Sequence, residues 1–153
     1  MDTRPTAGGK VVRRAVLPLL RWAVSGIFLY AGVQKLAAPQ VFADSIATFA
    51  ILPGGLINPV ALALPPFELL LALALATGIR RRAALLGLAV LMGTFMVALG
   101  SAMARGLAVD CGCFGSGEPS VSATWRAFLR DIPILAATLW LWQQECWRRD
   151  GRE

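Results

Sequence analysis

Four stretches of the chain are almost wholly apolar, and each approaches the roughly 20 residues that a helix needs to cross a bilayer. They cover residues 15–37, 56–78, 83–104 and 127–146. None shows the period-two alternation of a barrel strand. The pattern therefore predicts an all-α membrane protein, an antiparallel bundle of four transmembrane helices. The second stretch contains Pro65 and Pro66. Proline removes a helical hydrogen bond, but neighbouring groups in a membrane bundle can compensate, so the reading is one kinked span. Residues 1–14 and 147–153 are read as basic tails flanking this transmembrane domain.

The polar positions give the bundle a direction. Arg4, Lys10, Arg13 and Arg14 precede the first span, Arg80, Arg81 and Arg82 separate the second from the third, and Arg148, Arg149 and Arg152 follow the fourth. An even number of crossings puts these three clusters on one side, and the positive-inside rule makes that side the cytoplasm, with both termini. The connectors 39–55 and 105–126 then face outward. A cleaved signal peptide would share the basic start of the first span, but its long apolar stretch, Arg21 and three further spans favour retention as a helix.

Composition agrees with this picture. Of 153 residues, 57% are hydrophobic and 16% charged, against about 25% charged in a soluble domain. The mean hydropathy is +0.64. The net charge of +6 is accounted for by clusters at span ends, so nucleic-acid binding is not expected. With no histidine, imidazole-dependent triads, zinc motifs and proton relays are excluded. Three cysteines fall short of a four-thiolate metal site in one chain.

The remaining chemistry is sulfur. The outer connector reads Asp110-Cys111-Gly112-Cys113-Phe114-Gly115. Cysteines two apart can approach disulfide separation, and Gly112 relaxes the backbone between them. So small a ring encloses almost no chain, so it is a weak staple. Strained, exposed disulfides are the readily exchanged ones, and an outward loop is where oxidised cysteines persist. Redox exchange leads this reading. A static bridge and copper(I) handling by adjacent thiolates remain alternatives; the copper reading needs donors from a partner, and no metal site is assigned. Cys146, at the far end of the fourth span, is about 30 Å from the pair and is read as a small apolar residue.

Charges within spans form a second group. Glu68 lies mid-span, where an ionisable group is expensive and faces the bundle interior. Arg21 and Lys35 are nearly four helical turns apart, on one face with Ser25 and Phe28. Arg130 and Asp131 open the fourth span. A network joining Glu68 to Lys35 or Arg130 beneath the cysteine loop is expected, with snorkelling of Arg21 and Lys35 as the alternative. In the third span Ala89, Gly93, Met96, Gly100 and Ala104 recur at helical spacing and predict close helix packing. Trp125 and Trp147 fit the two interfacial belts of the fourth helix.

These pieces, in order, resemble the methylamine utilisation protein MauE family within the DoxX-like group of small four-helix membrane proteins. The resemblance rests on Arg21, Gly32-Val33-Gln34-Lys35-Leu36, Pro39 and Phe42, then on Leu64-Pro65-Pro66-Phe67-Glu68-Leu69-Leu70 and Gly78. It continues through Arg105-Gly106, the run from Asp110 to Gly115, Val121-Ser122 and Leu129-Arg130-Asp131. It implies a bacterial inner-membrane, redox-associated protein that helps mature periplasmic disulfide-containing proteins. In the methylamine system the client is the small (beta) subunit of methylamine dehydrogenase, with a thioredoxin-like MauD partner.

The expected function is that of a thiol–disulfide oxidoreductase or its accessory, with Cys111 and Cys113 on the periplasmic side as the exchanging pair. Asp110 disfavours the thiolate by like-charge repulsion, and Arg105, Lys35 or Arg130 nearby would favour it. By analogy with other four-helix disulfide-forming membrane proteins, a membrane quinone near Glu68 is a candidate electron carrier. The rival expectation is a non-catalytic adaptor that docks a periplasmic thioredoxin-like protein.

Overall fold

A computed structural model describes residues 7–107 and 121–150, with five helices among them. They are α1 (Ala7–Ala37), α2 (Pro39–Thr48), α3 (Gly54–Thr77), α4 (Arg81–Ala104) and α5 (Val121–Asp150). Cys111, Cys113, Asp110, Gly112, Phe114 and Gly115 lie outside the described residues.

The four long helices run alternately up and down. At one end Leu17 of α1, Leu75 of α3, Leu85 of α4 and Leu141 of α5 line one cavity. At the other, Lys35, Glu68, Leu99 and Arg130 line another. Between these ends the core joins Val24 and Phe28 of α1, Ala72 and Leu75 of α3, and Leu85, Leu88 and Met92 of α4 to Leu141. The packing faces are narrow and the outward ones remain apolar: Leu19, Leu62, Leu70, Val90 and Val97 are all exposed. Only lipid solvates such a surface without cost. Segments Val16–Ala37, Gly54–Thr77 and Arg81–Ala104 are long and apolar enough to cross a membrane.

Three sequence expectations are revised. The connector 39–55, to which the apolar pattern assigns no helix, carries α2 throughout its first half. Pro39 opens that helix, where a fixed φ and a missing N–H are tolerated. Phe42 and Ile46, one turn apart, are buried with Ala61 of α3, so α2 folds back over the bundle. The fourth stretch does form a long helix, but α5 does not match the other three in apolar length. Arg126, Arg130 and Asp131 interrupt its first half, and Glu145 closes the uncharged segment 132–144. Four apolar crossings is thus a finer statement than the helices support.

The small-residue stripe of α4 is the third revision. Gly93 and Gly100 have open space where a Cβ would stand. The close approaches are elsewhere. A Cβ on Gly32 would stand 2.8 Å from Leu69 Cγ and 3.5 Å from the Pro65 carbonyl oxygen, and one on Gly87 would stand 2.9 Å from both Leu71 methyls. Small residues do draw helices together in this bundle, but at the α1–α3 and α3–α4 seams. The second span stands as a single helix: α3 carries Pro59, Pro65 and Pro66 without a break.

Replacing Gly32 by Leu should wedge α1 from α3 and lower stability by about 1–3 kcal/mol, the usual range for overpacking. Gly93→Leu, at an open position, should not. Thermal unfolding of the two variants in detergent compares them directly.

Candidate functional site

The site is built where α1 ends. Lys35 sits in the last turn of α1, and the chain then breaks at Ala38 into α2. That break lets Phe42 return toward the lysine rather than continue along the helix. Lys35 Nζ lies 5.3 Å from the centre of the Phe42 ring and 4.9 Å from that of Phe95 on α4, within the reach of cation–π attraction. The rings are themselves 6.4 Å apart. On the remaining side Lys35 Nζ donates a 2.6 Å hydrogen bond to Glu68 Oε2. Both side chains of this ion pair are only 2% exposed.

A second pair faces the same space. Arg130 Nε lies 3.2 Å from Asp131 Oδ1, and both residues line the cavity that holds Lys35 and Glu68. Among the described residues, two cations therefore face two carboxylates. Phe28, Met92, Phe95 and Leu99 supply apolar walls. Lys35 and Glu68, the fully enclosed pair, are each held in place by the other, since an unpaired charge there would carry a desolvation cost of several kcal/mol. Among the described residues no group of three or more Cys, Asp or Glu side chains is placed to bind a metal. Among the described residues the cavity measures about 40 Å³, room for a water.

The sequence-predicted residues thus divide. Lys35 and Glu68 meet directly. Arg130 pairs with Asp131 instead of Glu68 and shares their cavity. Ser25 and Phe28 are buried on the same helix as Lys35. Arg21, on the face expected to be common with Lys35, lines a different cavity at the opposite end of the bundle. A shared face is not a shared site when nearly four turns intervene. Phe95 and Asp131 complete the site without having been singled out for it. Asp131, beside Arg130 at the start of an otherwise apolar run, carried a readable signal; Phe95, an aromatic within an apolar span, carried none.

The base of the cysteine loop is also fixed. Helix α4 ends in a Schellman motif: Leu107 N–H donates to the Ala102 carbonyl and Gly106 N–H to that of Met103, each at 3.0 Å. Gly106 adopts φ +68°, a conformation glycine takes without strain. Leu107 packs against the cluster holding Ala102, Leu99 and Phe49, the apolar contact this motif favours. The Arg105 guanidinium donates to the Phe49 carbonyl, tying the root of the loop to the chain after α2. The Arg105-Gly106 pair thus has a structural reason: one residue anchors, the other turns the chain.

Lys35→Met should leave Glu68 buried without its cation and cost about 3–5 kcal/mol. Glu68→Gln should leave the Lys35 ammonium without its carboxylate, but the amide oxygen can still accept its hydrogen bond and the Phe42 and Phe95 rings still face it, so its cost should be smaller. Combining the two should destabilise by less than the sum of the singles, which a denaturant double-mutant cycle would reveal as a coupling of at least about 0.5 kcal/mol.

Comparison with known proteins covers the same elements. The family model described as methylamine utilisation protein MauE matches residues 13–143. The methylamine utilization protein MauE of Paracoccus denitrificans is 30% identical over 129 residues, spanning 81% of this chain and 69% of the relative. Its counterpart in Paracoccus versutus is 31% identical over 127 residues, spanning 80% and 68%. No solved structure matches the chain significantly. Running from α1 into α5 and taking in both ion pairs and the anchored loop root, the match shows that this multi-pass membrane protein belongs to the MauE family.

Proposed function

We propose that the protein acts in methylamine utilisation as a membrane component of thiol–disulfide exchange, supporting the maturation of a disulfide-containing protein outside the cytoplasm. The observation that carries the reading is the Cys111-Gly112-Cys113 sequence in the connection between α4 and α5. Its root at Arg105, Gly106 and Leu107 is pinned at the end of the bundle remote from Arg80, Arg81 and Arg82. Membership of the MauE family supports the pathway.

In this reading α5 is the fourth crossing. The buried Asp131, Thr138 and Leu141 turn toward the bundle, and exposed Trp125 and Trp147 stand near its two ends, as interfacial aromatics do. Both termini and the Arg80–Arg82 turn are then cytoplasmic, and the cysteine loop is periplasmic. The partner is a periplasmic thioredoxin-like protein.

The chemistry is an exchange. A thiolate of the partner attacks one sulfur of a Cys111–Cys113 disulfide, forming a mixed disulfide and releasing the other cysteine as thiolate. The partner's second thiolate then resolves the mixed bond. Two electrons pass from the partner dithiol to the loop disulfide, and the two protons follow through solvent. The reverse sequence reduces the partner, and the relative potentials set the direction. The Lys35–Glu68 pair contributes by fixing α1 to α3 beneath the loop, and Arg130 and Asp131 of α5 line the same cavity.

The double variant Cys111→Ser/Cys113→Ser should keep the fold and lose client maturation in cells, while thiol trapping of the unaltered protein should reveal a mixed disulfide with its partner. Full maturation in the serine variant would establish a docking adaptor instead. An impermeant thiol reagent should label the reduced loop in intact spheroplasts; labelling only after lysis would overturn the orientation.

A further inference from the structure

The end of the bundle opposite the cysteine loop holds a second cavity, of about 200 Å³, lined by Arg21, Arg81 and Glu145 above Leu17, Leu75 and Leu85. This exceeds severalfold the roughly 30 Å³ share of one water. Its polar groups are incompletely matched. Arg21 Nε is buried with no hydrogen-bond partner among the described residues, a state that is rare because it forfeits solvation. The Arg81 guanidinium lies 3.8 Å from Glu145 Oε1, too far for a hydrogen bond. Arg82 is already engaged, donating to the backbone carbonyls of Glu145 and Cys146. Among the described residues, two guanidinium groups with unused donors therefore face a single carboxylate, an excess of positive charge.

We propose that this cavity binds the phosphate of an anionic phospholipid headgroup. Guanidinium donors pair with phosphate oxygens in a planar, two-point manner, and two of them converge here from different helices. Arg81 is the first residue of α4, so the positive end of that helix adds to the attraction. The apolar wall distinguishes a lipid from a free anion: Leu17 and Pro18 cannot solvate inorganic phosphate, but they can pack against the glycerol and first methylenes of a lipid. The cavity lies at the end of the membrane-spanning segments, where headgroups stand, and basic pockets between helices are a known means of holding them. Occupancy would join α1 to α4 at this end, as the Lys35–Glu68 pair joins α1 to α3 at the other.

The test is native mass spectrometry of the full chain, released from detergent after titration with phosphatidylglycerol or phosphatidylcholine. Phosphatidylglycerol should be retained preferentially. Arg81→Gln, at a side chain 41% exposed and safe to alter, should weaken retention about fivefold, and adding Arg21→Gln should weaken it by a similar factor again. Arg126→Gln, the same charge change at the far end of α5, should leave retention unchanged. Equal retention of the two lipids, or unchanged retention in Arg81→Gln, would overturn the proposal. So would displacement of the lipid by inorganic phosphate at equal concentration, which would assign the cavity to a free anion.

Discussion

A lysine and a glutamate at bilayer depth cannot stand apart. The cost of an unpaired charge in that setting exceeds what any single apolar contact returns, so α1 and α3 dock only in the register that brings Lys35 Nζ within 2.6 Å of Glu68. Much of the arrangement follows from that constraint. Gly32 lies one turn before Lys35 and lets α1 settle onto Leu69 and the Pro65 carbonyl. Ala38 then breaks the helix, and α2 turns back to lay Phe42 over the ammonium, with Phe95 closing the other side. The Arg130–Asp131 pair brings α5 to the same cavity.

The bundle is thereby given two unlike ends. At one, charges are paired, and the chain beyond α4 is turned by Gly106 and held by Arg105. At the other, Arg21, Arg81 and Arg82 outnumber Glu145, and the donors of Arg82 are spent on the carbonyls near the end of α5. The positive-inside rule reads the second end as cytoplasmic. A division of labour follows under the proposed function: exchange chemistry at the paired end, contact with the anionic lipid surface at the basic one. Between them the core is filled by Leu75, Leu85 and Leu88.

Several features were legible because they depend on local composition alone. Runs of apolar residues placed α3 and α4 to within two residues at each end and the end of α1, since a helix in lipid must satisfy its own backbone; α1 starts eight residues before its apolar run. The expectation that Glu68 would find a cation followed from the expense of leaving it alone. Other features were hidden because they depend on distance in space. Arg21 and Lys35 share a face of α1 but line separate cavities at opposite ends, and the sequence did not say which groups would meet each of them. The spacing of small residues on α4 pointed to Gly93 and Gly100, although the partner helices approach at Gly32 and Gly87.

By itself, then, the sequence determined that this is a helical membrane protein of the MauE type, with paired sulfurs in one connector and buried charges that had to find partners. Periodicity, length and the cost of burial are properties of the chain read locally. Only the tertiary structure decided which partners those were, that α2 would return to cover Lys35, and that Arg21 would stand at the edge of a separate cavity. Those outcomes depend on how far one helix slides along another and where each turn aims the next, and neither quantity is written at any single position.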